Sequence, residues 1–170
     1  MDTNINLHDL IIDLNTSDKL IRDVAYNQLI ELGSEAVPTL VEMFPAIVGS
    51  ARLHIVRAFG EIGSEAASGL LVELIISHDL NEVLFVTSMA AKSLGRIGDV
   101  GALVSLLDAE HHAPRRMAAT VLKNMSHPDS VPALGEALRD PDPKVRAISH
   151  EALTRIGSPE ALAALQNATS

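Results

Sequence analysis

A five-fold internal repeat constrains this chain more than any other feature. An apolar residue followed by glycine closes four units, at Leu32-Gly33, Ile62-Gly63, Ile97-Gly98 and Ile156-Gly157, and Met125-Ser126 closes another. The closing residues stand 30, 35, 28 and 31 apart. Self-similarity at roughly 20–50 residues means stacked supersecondary units, each too small to bury its apolar face alone. Counting back from each closing residue exposes the pattern. Position −4 holds Leu29, Phe59, Leu94, Leu122 and Leu153, all large and apolar. Position −8 holds Ala25, Ile55, Ala90, Ala118 and Ser149, and position −12 holds Ile21, Ala51, Val86, Pro114 and Val145. At about 100° per residue, −12, −8, −4 and −1 share one helix face, so each unit ends in an amphipathic helix. The closing glycine suits a left-handed C-terminal cap.

The first half of each unit is also read as helical. Ile5, Leu7, Leu10, Ile11 and Leu14 recur at helical spacing, as do Val37, Leu40, Val41 and Phe44. Leu70, Leu71, Leu74 and Ile75 follow, then Leu103, Leu106 and Leu107, then Val131, Leu134 and Leu138. Ser34, Ser64, Asp99, Asp129 and Ser158 are the expected N-caps. Pro38, Pro132 and Pro159 fall early in their helices, where a missing N–H is tolerated. No segment alternates with period two for long enough to make a strand. The expected fold is therefore all-α: an α-α superhelix of about five helical hairpins plus a C-terminal capping helix. It forms one domain over residues 1–170, with units at approximately 1–33, 34–63, 64–98, 99–126 and 127–157. A half unit, 158–170, presents Glu160, Gln166 and Asn167 outward as a partly polar cap.

Asp142-Pro143-Lys144-Val145-Arg146, followed by Ala152-Leu153 and Ile156-Gly157, resembles the HEAT repeat. The short period resembles the subtype named after the phycobilisome lyases. Unit three departs most, with Thr87 in the arginine position and a longer segment between its helices. The Trp and Tyr pattern of tetratricopeptide arrays and the Thr-Pro-Leu-His of ankyrin arrays are absent. The resemblance implies two things. The arginines at −11 (Arg22, Arg52, Arg115 and Arg146) would pair with inter-helix aspartates in a structural ladder, with Asp18 before Arg22 and Asp142 before Arg146. The second helix of each unit would line the concave side.

Positions −10, −7, −6 and −3 then point away from the apolar stripe. They place Arg57, Lys92, Arg116 and Lys123 in a basic band, with Tyr26 and Leu53 as apolar anchors and His150 at the far end. The chain carries a net charge of −9. Residues 1–80 hold 12 acidic and 4 basic side chains, and residues 81–170 hold 10 acidic and 9 basic. Such a balance disfavours nonspecific binding to nucleic acid or an anionic membrane. It favours a protein partner meeting the basic band with an acidic segment. DNA-glycosylase relatives of the fold would need a basic, aromatic-lined groove, and this one offers four basic positions and one Tyr.

Catalysis finds little footing. Cysteine is absent, no Gly-x-Ser-x-Gly turn exists, and no glycine-rich phosphate loop is present. His111 and His112, near Asp108 and Glu110, are adjacent and poorly placed to share one ion. Deoxyhypusine hydroxylase, a HEAT-like di-iron enzyme, uses several His-Glu pairs, whereas His150-Glu151 stands alone. The expectation is thus no metal, no cofactor and no enzyme. The chain would be a protein-interaction scaffold, monomeric alone, using its second-helix face. The alternative is a phycobilisome-lyase-like protein acting in bilin attachment or removal, or in antenna turnover, and it rests on the resemblance alone. No apolar run is long enough to cross a bilayer and Met1-Asp2-Thr3-Asn4 has no basic n-region, so the cytoplasm is the expected compartment.

Overall fold

The computed structural model describes residues 6–77 and 83–168. Eleven α-helices and no strand occur among them: α1 (Leu7–Leu14), α2 (Lys19–Leu32), α3 (Val37–Met43), α4 (Ser50–Ile62), α5 (Ser68–Ile76), α6 (Val83–Ile97), α7 (Val100–Ser105), α8 (His112–Met125), α9 (Val131–Glu136), α10 (Pro143–Ile156) and α11 (Pro159–Ala168). Short first helices alternate with second helices of 13 to 15 residues. The second helices α2, α4, α6, α8 and α10 pack in sequence, each on the next, beside the layer of first helices. The architecture is an all-α superhelix of stacked helical hairpins. Ile5 and the long inter-helix segment of unit three over 78–82 lie outside the described residues.

One continuous apolar core runs from Leu10 to Ala161. The whole −4 column (Leu29, Phe59, Leu94, Leu122 and Leu153) is fully enclosed. Each such side chain contributes about 1.5–3 kcal/mol by leaving water. The caps are more varied than the sequence implies. Asp99 accepts the Ala102 N–H at 2.8 Å, and Ser158 Oγ accepts that of Ala161 at 3.2 Å. Ser34, Ser64 and Asp129 do not cap. Tight 3-10 turns over Gly33–Ala36, Glu65–Ala67 and Pro128–Ser130 lead into α3, α5 and α9 and satisfy backbone groups locally.

The arginine column does a different job from the one expected. Asp18 does not pair with Arg22, nor Asp142 with Arg146. Both aspartates cap their own helices: Asp18 accepts the Leu20 and Ile21 N–H groups, and Asp142 those of Lys144 and Val145. The arginines turn back to the carbonyls of the preceding loop. Arg22 donates to Thr16 O at 2.8 Å, Arg52 to Ile47 O at 2.9 Å, Arg115 to Ala109 O at 2.8 Å, and Arg146 to Asp140 O at 2.8 Å. Arg115 and Arg146 each hold a second loop carbonyl, of Glu110 and Pro141. A tight loop leaves carbonyls with no backbone partner, and a long guanidinium one turn into the next helix reaches them. Within the column Arg115 makes the expected kind of rung to an inter-helix aspartate, and its neighbour Arg116 makes another. Arg115 binds Asp140 through Nε at 2.7 Å and Nη2 at 3.0 Å. Arg116 forks onto Asp142, with Nε to Oδ1 at 2.9 Å. The Arg116 guanidinium, then the backbone N–H groups of Val145 and Lys144, hold the Asp142 carboxyl far below the ordinary carboxylate range.

Candidate functional site

The solvent-facing stripe of the second helices is rotated from the one read off the sequence. Position −7 is buried in four units, at Tyr26, Val56, Ala91 and Ala119. Positions −6 and −2 are exposed in every unit: Asn27, Arg57, Lys92, Thr120 and Glu151, then Glu31, Glu61, Arg96, Asn124 and Arg155. The cause is stacking. A second helix in a solenoid packs on its own first helix and on both neighbouring second helices, so the buried arc extends well past the amphipathic stripe. Close approach at the flank makes this concrete. A Cβ on Gly60 would stand 2.7 Å from Ser93 Cα, and Ser93 Oγ donates to Val56 O at 2.8 Å. The −2 column escaped the periodicity argument, although its unbroken polar content was a usable signal.

Tyr26 is therefore not an exposed apolar anchor. It is 8% exposed, with the Arg57 guanidinium 4.8 Å above its ring and the His54 ring edge-on at 6.1 Å. Burial first, then the Glu61 carboxylate, pushes its phenol well above the ordinary range. Burial likewise lowers the His54 pKa, helped by Arg22 and Arg57, so His54 is neutral at pH 7. Leu53 is half-buried. Arg57 is exposed and bonds Glu61 through Nε at 3.0 Å, and Arg96 of α6 reaches the same carboxylate at 3.4 Å. Arg116 is engaged with Asp142, and Lys123 with Glu151 at 2.9 Å. His150 is exposed because no described second helix follows α10. Lys92 is exposed and makes no ion pair among the described residues.

Lys92 borders two adjoining hollows between α6 and α8. One, of about 240 Å³, is lined by Ser88, Ala91, Met117, Thr120 and Val121 together with Lys92 and Arg116. The other, of about 340 Å³, adds Gly95, Arg96, Asn124 and Met125. They share Lys92 and Val121, and so form one trough with an apolar floor and basic rims. Three cations line it, Lys92, Arg96 and Arg116, and among the described residues no carboxylate does; Arg96 reaches out to Glu61 and Arg116 to Asp142. Among the described residues no three His, Asp or Glu side chains gather as metal ligands. No helix among them is long and apolar enough to cross a membrane.

Residues 100–170 match the family of HEAT repeats. The second part of the chain is thus matched as HEAT repeats, and the described helices before it stack in the same alternating way. A HEAT repeat-containing taxis protein of Halobacterium salinarum is 42% identical over 72 residues, which are 41% of this chain and 18% of that protein. The chain thus spans less than a fifth of that relative. Two solved structures share the fold. The complex of CpcE and CpcF of phycocyanin lyase from Nostoc sp. superposes with a TM-score of 0.52 at 22% identity, covering 92% of this chain and 67% of the other. An engineered protein superposes with a TM-score of 0.51 at 24% identity, covering 97% and 86%. A HEAT-like array offers extended side-by-side helix surface, the architecture of an interaction scaffold.

Proposed function

We propose that this protein is a non-catalytic interaction scaffold that meets an acidic segment of a partner protein with the exposed stripe of its second helices. The observation that carries the reading is Lys92. It is exposed and without an ion pair among the described residues, on a stripe where the neighbouring cations are already engaged. Lys92, Arg96 and Arg116 line the trough against two carboxylate partners, Glu61 and Asp142, in a chain of net charge −9. A local positive field in an acidic protein steers acidic partners toward that patch. Arg57 and Arg96 extend the contact along −6 and −2. Leu53 and His150 flank it. Polyanions such as nucleic acid and anionic bilayers meet the same local cations but face repulsion from the acidic remainder.

Lys92→Glu is the probing substitution, because Lys92 holds nothing else in place. Capture from host lysate is compared for wild type, Lys92→Glu and a Glu42→Lys/Glu73→Lys variant of the exposed first-helix face. The captured protein is then titrated directly against all three. Loss of affinity in Lys92→Glu alone is the expected result. Retained affinity in Lys92→Glu, or equal loss in the first-helix variant, overturns the reading.

A further inference from the structure

The trough between α6 and α8 has a cause in the sequence. Position −5 faces the preceding second helix and is small at the two tight junctions that flank this one: Ser93 in α6 against α4, and Ala152 in α10 against α8, both fully buried. In α8 it is Val121. Where α4 meets α6, a Cβ on Gly60 would strike the backbone of Ser93, so the two main chains themselves abut. Where α6 meets α8, a Cβ on Gly95 would instead strike Val121 Cγ1 at 2.6 Å. A branched side chain is interposed, α6 and α8 touch over a shorter stretch than α4 and α6 or α8 and α10 do, and a gap opens toward solvent beside it. Its floor is Ala91, Gly95, Met117, Val121 and Met125, and Lys92 and Arg96 stand on its α6 rim.

We propose that this gap is the seat for one apolar side chain of the acidic partner segment, with a neighbouring carboxylate of that segment on Lys92. The inference rests on the scaffold reading above and adds what the segment must carry. Three observations select the occupant. The floor is apolar, so an all-polar segment leaves it half-wetted. The rim is basic, so the residues flanking the anchor are acidic. Two of the floor residues are methionines, whose unbranched thioethers adapt to anchors of different shape. The hollow of about 240 Å³ has ample room for one leucine-like side chain.

The test uses the full chain with labelled Ala, Met and Val methyl groups and two short synthetic peptides. One has glutamates around a central leucine, and the other has serine in its place. The leucine peptide is expected to bind about tenfold more tightly, as partial burial of one leucine implies. Its shifts should concentrate on Ala91, Met117, Val121 and Met125. Lys92→Glu should weaken it, and so should Thr120→Trp, which lays an indole over the trough from an exposed position. Circular dichroism and melting curves verify that both variants remain folded. Equal affinity for the two peptides, saturable shifts centred on other residues, or no saturable binding of the leucine peptide overturns the seat. None of these touches the capture experiment with Lys92→Glu, which judges the scaffold reading separately.

Discussion

Ser126 is the only non-glycine with positive φ among the described residues, at 51°. It occupies the left-handed C-cap of α8, the position that Gly63 and Gly157 hold after α4 and α10. Its hydroxyl donates to Lys123 O at 3.1 Å, which offsets part of the strain. A side chain in this conformation costs about 1–2 kcal/mol relative to glycine. Ser126→Gly is therefore expected to raise stability by about 0.5–1 kcal/mol, read as a higher urea midpoint with unchanged slope. Gly60 is the opposite case. Its partner is the Ser93 backbone, which cannot step aside alone. Gly60→Ala should destabilise by about 1–3 kcal/mol through overpacking, despite the better helix propensity of alanine. A neutral or stabilising outcome would mean that α4 and α6 separate more easily than their packing implies.

At the scale of the helical element, the loop-closing arginines differ in how much they support. Arg115 holds two carbonyls and the Asp140 carboxylate, with its side chain only 10% exposed. Arg146 holds two carbonyls from an exposed position. Arg115→Ala should cost about 1.5–3 kcal/mol and Arg146→Ala under about 1 kcal/mol, measured by thermal unfolding. Asp142 joins the two rungs to the start of α10. Its folded carboxyl is held far below the unfolded value, so the unfolded chain takes up its proton first on acidification. Its contribution is complete above roughly pH 4 and falls as the pH drops below that value. Asp142→Asn should flatten the acid limb of the melting-temperature profile, and an unchanged limb would assign the acid sensitivity to other carboxylates. The arginine periodicity was legible in the sequence and its role was not. Whether a guanidinium meets an aspartate or a carbonyl depends on how tightly the loop turns, which no residue spacing records.

Across the whole molecule, stability in a stacked array is a sum of unit and neighbour terms. The neighbour term is weaker where Val121 spaces α8 from α6 than at the α4–α6 and α8–α10 junctions on either side. Destabilising the second part of the array with Arg115→Ala should therefore accelerate amide exchange in α7 to α11 while α4 and α6 keep their protection. Uniform loss of protection along the chain would show that the junction transmits as strongly as the others. The junction that is thinner than those on either side is also the one that opens the trough, so one side chain serves both properties.

The sequence alone determined the all-α repeat, the number of second helices, their buried −8 and −4 columns and the left-handed caps at Gly63 and Gly157. These follow from local periodicity and backbone chemistry, which act within a few residues and so are written in the chain order. Tertiary structure decided which face remains in water. Tyr26 and Val56 look outward on an isolated helix and are buried by a neighbouring one, while Arg96 and Glu61 emerge on the exposed stripe. Periodicity resolves a helix into two faces, one apolar and one polar. Stacking buries a third flank whose residues (Tyr26, Val56, Ala91, Gly60) are too varied to announce it. The trough beside Val121 is a further step removed, because it exists only as the difference between one inter-helix distance and the others.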